Sequence, residues 1–377
     1  MKFATRLQQL ASEVVDQYGA MATPIYQTAT FEQESADMHG AFDYSRSGNP
    51  TRKVLEDQVA ALEGGAYGFA FASGMAATTA ITRLLRPGDE ILADWDVYGG
   101  TSRLFGSILE RANIRVRYLD ATDLQQVRDA INPATKLIFA ESPTNPLLRI
   151  LDLRGLGTIA KEAGLLFAVD NSTMSPYLQN PLELGAHVVM HSATKFLGGH
   201  SDTTGGILVA NDEAIAKELR FVQNSEGTAL GPLDCFLLLR GLKTLKLRMD
   251  AQQTNAMKIA EALTQNAKVQ QVFFPGLATH ARHELHAQQA RGGGSVISFR
   301  ASSPEEANRI AKDAQLFAIA VSFGSTHSTI SVPHSMSHAS VPAALREQRG
   351  LPLDLVRLSI GVEDVDDLLE DLSRTIG

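Results

Sequence analysis

Short apolar runs alternate with stretches of helical spacing along the middle of the chain. The runs cover 68–72, 90–93, 116–119, 136–140, 165–169, 188–190 and 206–209, each of strand length. Between them apolar positions recur at helical intervals, and the first such segment is amphipathic over 51–62. This alternation predicts an α/β fold: a mostly parallel sheet flanked by helices on both faces, because parallel strands need crossovers that cover the sheet. The first 50 residues have no long helical pattern. They contain Ala22-Thr23-Pro24-Ile25-Tyr26-Gln27 and Tyr44-Ser45-Arg46-Ser47-Gly48-Asn49-Pro50-Thr51, which read as an extended arm. After about Asp234 the texture changes to a long helical stretch over 237–263, then Gly292-Gly293-Gly294-Ser295, a strand over 296–300, a helix, a strand near 318–322 and a closing helix after Asp364. We therefore expect an arm over 1–50, an α/β domain over 51–234 and a smaller α+β domain over 235–377. No repeat or low-complexity linker separates them, so a rigid shared interface is expected.

The 377 residues carry a net charge of −8, with no lysine or arginine block that would track a phosphate backbone or an anionic membrane. Nucleic acid is not an expected partner. No apolar run approaches the roughly 20 residues needed to cross a bilayer, and Arg6 stands where a signal peptide would need an apolar core. A soluble cytoplasmic protein is expected. Cys235 is the only cysteine, so an intrachain disulfide or thiolate metal site is ruled out, in keeping with a reducing compartment. It reads as a buried bystander.

The chemistry concentrates around Lys195, in His191-Ser192-Ala193-Thr194-Lys195-Phe196-Leu197-Gly198-Gly199-His200. A lysine leaving an apolar strand, flanked by hydroxyls and followed by paired glycines, suits an amine held beside a phosphate and ready to form an imine with an aldehyde cofactor. Pyridoxal phosphate is that cofactor's obvious identity. Its chemistry makes four further demands. An acid must face the pyridine nitrogen, and Asp170 fits because it ends the apolar run 165–169. A phosphate anchor is offered by Phe71-Ala72-Ser73-Gly74-Met75, which follows a strand and opens a helix, with Ser192 and Thr194 as further donors. Tyr44 and Arg46, from the arm, are candidates to complete it, in their own subunit or in a neighbouring one. Tyr98 supplies an aromatic face and a phenol that could act as acid or base. Arg357 supplies a cation for a substrate carboxylate from within a strand-like run, where an unpaired guanidinium is costly.

These segments, in this order, resemble the Cys/Met-metabolism family of pyridoxal-phosphate enzymes, and the resemblance spans nearly the whole chain. Its specific pieces are Pro24-Ile25-Tyr26-Gln27-Thr28, 44–51, Ser73-Gly74-Met75-Ala76-Ala77, Asp96-Val97-Tyr98-Gly99-Gly100-Thr101, Glu141-Ser142-Pro143-Thr144-Asn145-Pro146, Val169-Asp170-Asn171, 191–195 and 357–363. The resemblance implies fold type I of these enzymes, the aspartate aminotransferase-like fold. It also implies roles. Lys195 is the imine lysine and Tyr98 stacks on the ring, both catalytic; Asp170 pairs with the ring nitrogen, and Asn145 lies near the ring hydroxyl. Gly74, Met75, Ser192 and Thr194 hold the phosphate with Tyr44 and Arg46 of the adjacent subunit. Arg357 takes the substrate carboxylate with help from Ser322. A homotetramer built from two dimers with shared active sites is implied as well.

Within the family, Val321-Ser322-Phe323-Gly324-Ser325-Thr326-His327-Ser328 departs from the Ser-Leu-Gly-Gly pattern of γ-acting members, which carry a glutamate where His327 stands. Asp170-Asn171-Ser172-Thr173-Met174-Ser175-Pro176, Gln223-Asn224-Ser225-Glu226-Gly227, Ser322-Phe323-Gly324-Ser325 and Met336-Ser337-His338-Ala339-Ser340 instead resemble plant-type cystathionine β-lyases. The expected reaction is β-elimination of cystathionine to homocysteine, pyruvate and ammonia. Cystathionine γ-lyase, methionine γ-lyase and cystathionine γ-synthase are the alternatives, and a non-catalytic scaffold of the same fold is a remote one. His327 is a candidate substrate contact, and His334 and His338 are candidates to border the entrance. His280, His283 and His286 recur every three residues, a spacing that would bring metal ligands together on a helix, but no carboxylate or cysteine set completes a site. A solvated helix face is expected there, with no metal.

Overall fold

The computed structural model describes residues 1–9, 12, 14, 16–38, 40–336 and 350–377. The seven predicted runs become the strands β1 (Tyr67–Phe71), β2 (Glu90–Asp94), β3 (Arg115–Leu119), β4 (Thr135–Glu141), β5 (Leu166–Asp170), β6 (Val188–Ser192) and β7 (Gly206–Ala210). They form one sheet in the order β1-β7-β6-β5-β4-β2-β3. Only β7 runs against its neighbours; the rest are parallel. The sheet is buried on both faces, with Phe69, Phe71, Phe105 and Phe139 in one cluster and Phe167, Val169, Leu156 and Ile159 in another. That two-sided burial is why its strands read as continuous apolar runs. At one margin, β3 pairs only with β2 and presents Arg115 and Arg117 outward.

The segment predicted over 51–62 is the helix Pro50–Glu63. Asn49 caps it by accepting from the N–H of Thr51 at 3.0 Å, Pro50 starts it, and Gly64 ends it at φ 76° in the left-handed region. The same cap ties down the arm, since Asn49 Nδ2 donates to the Tyr26 carbonyl at 2.9 Å. Val54, Leu55, Val59 and Leu62 on this helix are almost fully buried, each contributing about 1.5–3 kcal/mol of transfer free energy. The arm also holds a short helix, Phe3–Gln8, whose Leu7 joins the same cluster.

After β7 the structure departs from the sequence reading in three places. The helical stretch over 237–263 is not continuous: helices Pro232–Leu242 and Leu245–Gln265 flank a break. The Gly241 carbonyl there is taken by the Thr244 N–H and by Arg248 Nη2, at 3.2 and 2.9 Å, which ends the first ladder. The strand expected near 318–322 shrinks to β10 (Ala318–Ile319), and Ser322 turns into the left-handed region at φ 81°. Finally, β8 (Gln271–Phe273) and β11 (Thr329–Ser331) were not anticipated; both are only three residues long. With β9 (Val296–Arg300) and β12 (Leu355–Ser359) they make a second sheet in the order β10-β11-β12-β9-β8, covered by Leu245–Gln265, Pro304–Asp313 and the closing helix Val365–Ile376. A cluster including Phe196, Leu197, Leu238, Met249, Val296 and Phe323 joins the two sheets.

Candidate active site

The strands β4, β5 and β6 end side by side in polar residues: Glu141, Asp170 and Ser192. Glu141 and Asp170 are register partners on adjacent parallel strands. A cavity of about 220 Å³ opens at these carboxyl ends, where open α/β sheets hold their ligands. Lys195, Asp170, Tyr98, Asn145, Gly74, Met75, Ser192 and Thr194 all line it. Eight of the twelve predicted site residues thus meet in one chamber. Two more reach it indirectly. Ser322 Oγ accepts a hydrogen bond from Lys195 Nζ, and its left-handed backbone sets that hydroxyl beside the amine. Arg357 is buried on β12 and donates from Nη1 to Asn145 Oδ1 at 2.8 Å and from Nη2 to the Ser322 carbonyl at 2.7 Å. Tyr44 and Arg46 do not line the cavity. Arg46 donates to the Asn224 side chain at 3.0 Å and stacks on Tyr44, which is 41 % exposed.

The electrostatics suit an amine that must lose its proton. Burial above all, with Arg357 next, pushes Lys195 down to about 8, while Asp170 pulls the other way. Asp170 is itself raised by burial, restrained by the hydroxyl and N–H of Ser172, by His191 and by Lys195. Its Oδ1 accepts from the Ser172 N–H at 2.9 Å. Burial lowers Arg357 to about 10, which leaves it charged at neutral pH. It has no ion pair among the described residues, and its Nε is buried without a partner. A buried cation with no carboxylate in ion-pair contact can receive one from a ligand.

The donor set fits pyridoxal phosphate. Ser73 caps the helix Gly74–Thr82 by accepting from the Ala76 N–H at 3.1 Å, which leaves the N–H groups of Gly74 and Met75 without a partner in the helix. A Cβ at Gly74 would stand 2.9 Å from Ser192 Cβ, and one at Gly206 would stand 2.2 Å from the Ser73 carbonyl. Glycine lets backbone, sheet and serine close into an anion cradle. Phe323 brings its ring within 4.9 Å of Lys195 Nζ.

Several residues of the site escaped the sequence reading. Glu141 closes β4 as Asp170 closes β5, so the same strand-end signal could have found it. Its carboxyl is raised well above the ordinary range by burial, then by Asp170 and Asp96. Phe323, Ser172 and Thr204 also line the cavity from loops and carry no periodic signal, and Thr101 reaches it from the five-residue helix Gly99–Arg103, too short to show a period. Beneath the floor, His191 and Glu63 form a fully buried pair at 2.5 Å. Other candidates lie elsewhere. His327 is exposed and meets Ser325 Oγ at 3.1 Å rather than lining the cavity. His338, with the rest of 337–340, lies outside the described residues, and His334 does not line the cavity. His283 and His286 are on the short helix His283–Gln289 but His280 precedes it, and His286 is buried against the Gly292 carbonyl at 2.8 Å, so they do not form one solvated face. No group that could hold a metal ion occurs among the described residues, and none of their helices is long and apolar enough to cross a membrane. Cys235 is buried, with its thiol pushed up.

A family profile described as Cys/Met metabolism PLP-dependent enzyme matches residues 4–377. The chain is 52% identical over 357 residues to a chloroplastic cystathionine beta-lyase of Arabidopsis thaliana, covering 95% of this chain and 77% of the relative. It is 48% identical to a cystathionine gamma-lyase of Bacillus subtilis, covering 95% of this chain and 94% of that one. The crystal structure of cystathionine gamma-lyase from Lactobacillus plantarum complexed with L-serine superposes with a TM-score of 0.96 at 40% identity, over 100% of this chain and 99% of that one.

Proposed function

Because the chain belongs to the Cys/Met metabolism family of PLP-dependent enzymes, we propose that it is a carbon–sulfur lyase that cleaves L-cystathionine by β-elimination. The observation that carries this reading is a lysine amine brought close to neutrality inside a cavity that also presents Asp170 and, through Asn145, an unpaired Arg357. The plant-type stretches around Asp170 and Ser322, together with the similarity to a plant β-lyase, favour β- over γ-elimination. Pyridoxal phosphate, when bound, supplies an electrophilic aldehyde and an electron-accepting ring.

The residues divide the remaining work. Arg357 takes the substrate α-carboxylate, held at the right angle by Asn145 and the Ser322 carbonyl. Lys195 Nζ takes the proton from the substrate α-carbon and returns one to the sulfur that leaves from the β-carbon, with the Tyr98 hydroxyl as an alternative donor. Asp170, a carboxylate in a poorly solvated floor, keeps the ring nitrogen protonated. Gly74, Met75, Ser192 and Thr194 anchor the phosphate from one subunit, and Tyr44 and Arg46 complete the anchor from its neighbour in a homotetramer with shared sites. The bacterial relative and the single cysteine support a cytoplasmic setting.

Product identity tests the reaction. Purified enzyme given L-cystathionine should release pyruvate, and 2-oxobutyrate in its place would make it a γ-lyase. Lys195→Ala should abolish turnover with the fold retained; measurable turnover in that variant would contradict the assigned role.

A further inference from the structure

Glu141 is the buried titratable group in this cavity that the proposed mechanism leaves without a task. It lines the chamber on the same face of the sheet as Asp170, its register partner, with strand axes about 4.8 Å apart. One carboxyl oxygen, Oε2, accepts the backbone N–H of Tyr98 at 3.1 Å. No other hydrogen bond is made by this carboxyl among the described residues.

Tyr98 is the residue just before the five-residue helix Gly99–Arg103, in a turn with φ −45° and ψ 138°. Its side chain is 38 % exposed and its placement over the cavity depends on its backbone. The groups that act on Glu141 come from three neighbouring segments: Asp170 at the end of β5, Asp94 and Asp96 at and after the end of β2, and the cation Arg357 on β12; Lys195 lines the same cavity. Arg357 is already committed to Asn145 and Ser322. Three acids raise the group in a dry site, where two adjacent carboxylates cannot both ionise at low cost.

We propose that Glu141 is a positioning residue that works as a neutral acid, holding the Tyr98 backbone to the sheet while leaving Asp170 the sole negative charge facing the bound ring. This rests on the cofactor reading given above. The proton on Glu141 lets a hydrogen-bond acceptor for Tyr98 sit beside Asp170 without a second charge. The raised carboxyl agrees with this state.

Glutamine and leucine separate the two parts of the idea. Glu141→Gln keeps the length, the acceptor and the neutrality; Glu141→Leu keeps neutrality but leaves the Tyr98 N–H without an acceptor. In the holoenzyme, E141Q should keep kcat/KM within about threefold of the parent, whereas E141L should lose about tenfold or more in kcat with KM little changed. E141L should also lose the visible circular dichroism of the bound cofactor, a signature of ring placement that a merely structural role would not move at constant thermal stability. If E141Q falls as far as E141L, the anionic form is needed and the proposal fails. If E141L matches the parent in both readouts, the link to Tyr98 is idle and it fails as well. Should E141L not fold, E141Q alone decides, with a drop below about a tenth of parental kcat overturning the idea. A parent protein with no visible absorption that borohydride traps on Lys195 would instead remove the cofactor reading itself, and this inference with it.

Discussion

At the scale of single residues, the site depends on one proton. An ordinary lysine near 10.5 is almost wholly protonated at pH 8, whereas Lys195, moved to about 8, is half free there. The sign follows from burial, which penalises the ammonium form, so the reactive fraction grows as pH rises through this value. The rate at which cofactor-free protein captures pyridoxal phosphate, followed by absorbance, should therefore rise with pH and bend near 8. Because the Arg357 charge contributes to the depression, Arg357→Met should move the bend to higher pH. A bend above pH 10 in the parent, or no movement in the variant, would show that the amine is not governed by this environment. Part of the residue-level site was legible at strand ends: Asp170 closes β5, and Lys195 follows β6 by three residues. Glu141 obeys the same rule and was passed over. Phe323 and Ser172 could not be read, since they matter through loop geometry that leaves no period in the sequence.

Secondary-structure elements shape the proposed phosphate cradle. The turn from β1 into the helix Gly74–Thr82 is pressed against β6 and β7, with no room for a Cβ at Gly74 or Gly206. Gly74→Ala should push the helix N-terminus away from Ser192 and raise the cofactor dissociation constant about tenfold or more, measured by equilibrium titration. Unchanged affinity would mean that this terminus does not hold the phosphate. The strands of the large sheet were legible because burial on both faces makes each an uninterrupted apolar run. Elements of the second sheet were harder for a physical reason. β8 and β11 are three residues long, and three residues carry neither alternation nor a run. The break between Leu242 and Leu245 was hidden because leucines continue on both sides, while the Gly241 carbonyl is taken by the Thr244 N–H and by the side chain of Arg248 on the next helix, bonds that leave no apolar pattern.

For the whole molecule, the arm poses the main question. Tyr44 and Arg46 resemble phosphate ligands yet lie outside the cavity of their own chain. If they serve a neighbouring site, a two-fold dimer holding one Lys195→Ala and one Arg46→Ala chain has one doubly damaged site and one intact site. Co-expressing the two inactive variants should then restore about a quarter of parental turnover by random pairing. Restoration absent from co-purified hybrids would place Arg46 in service of its own subunit. The sequence alone suggested this sharing through resemblance, and the exposed position of Arg46 gives it a physical motive.

The margin of the large sheet has a consequence for handling the protein. β3 is an edge strand paired on one side only, and its two outward arginines, one also paired with Glu90 at 3.2 Å, keep a second copy from docking strand to strand. Replacing both with valine would leave every bond of the catalytic chamber intact, yet turn that border into an adhesive surface, so that heated or concentrated samples would precipitate long before the fold itself gave way.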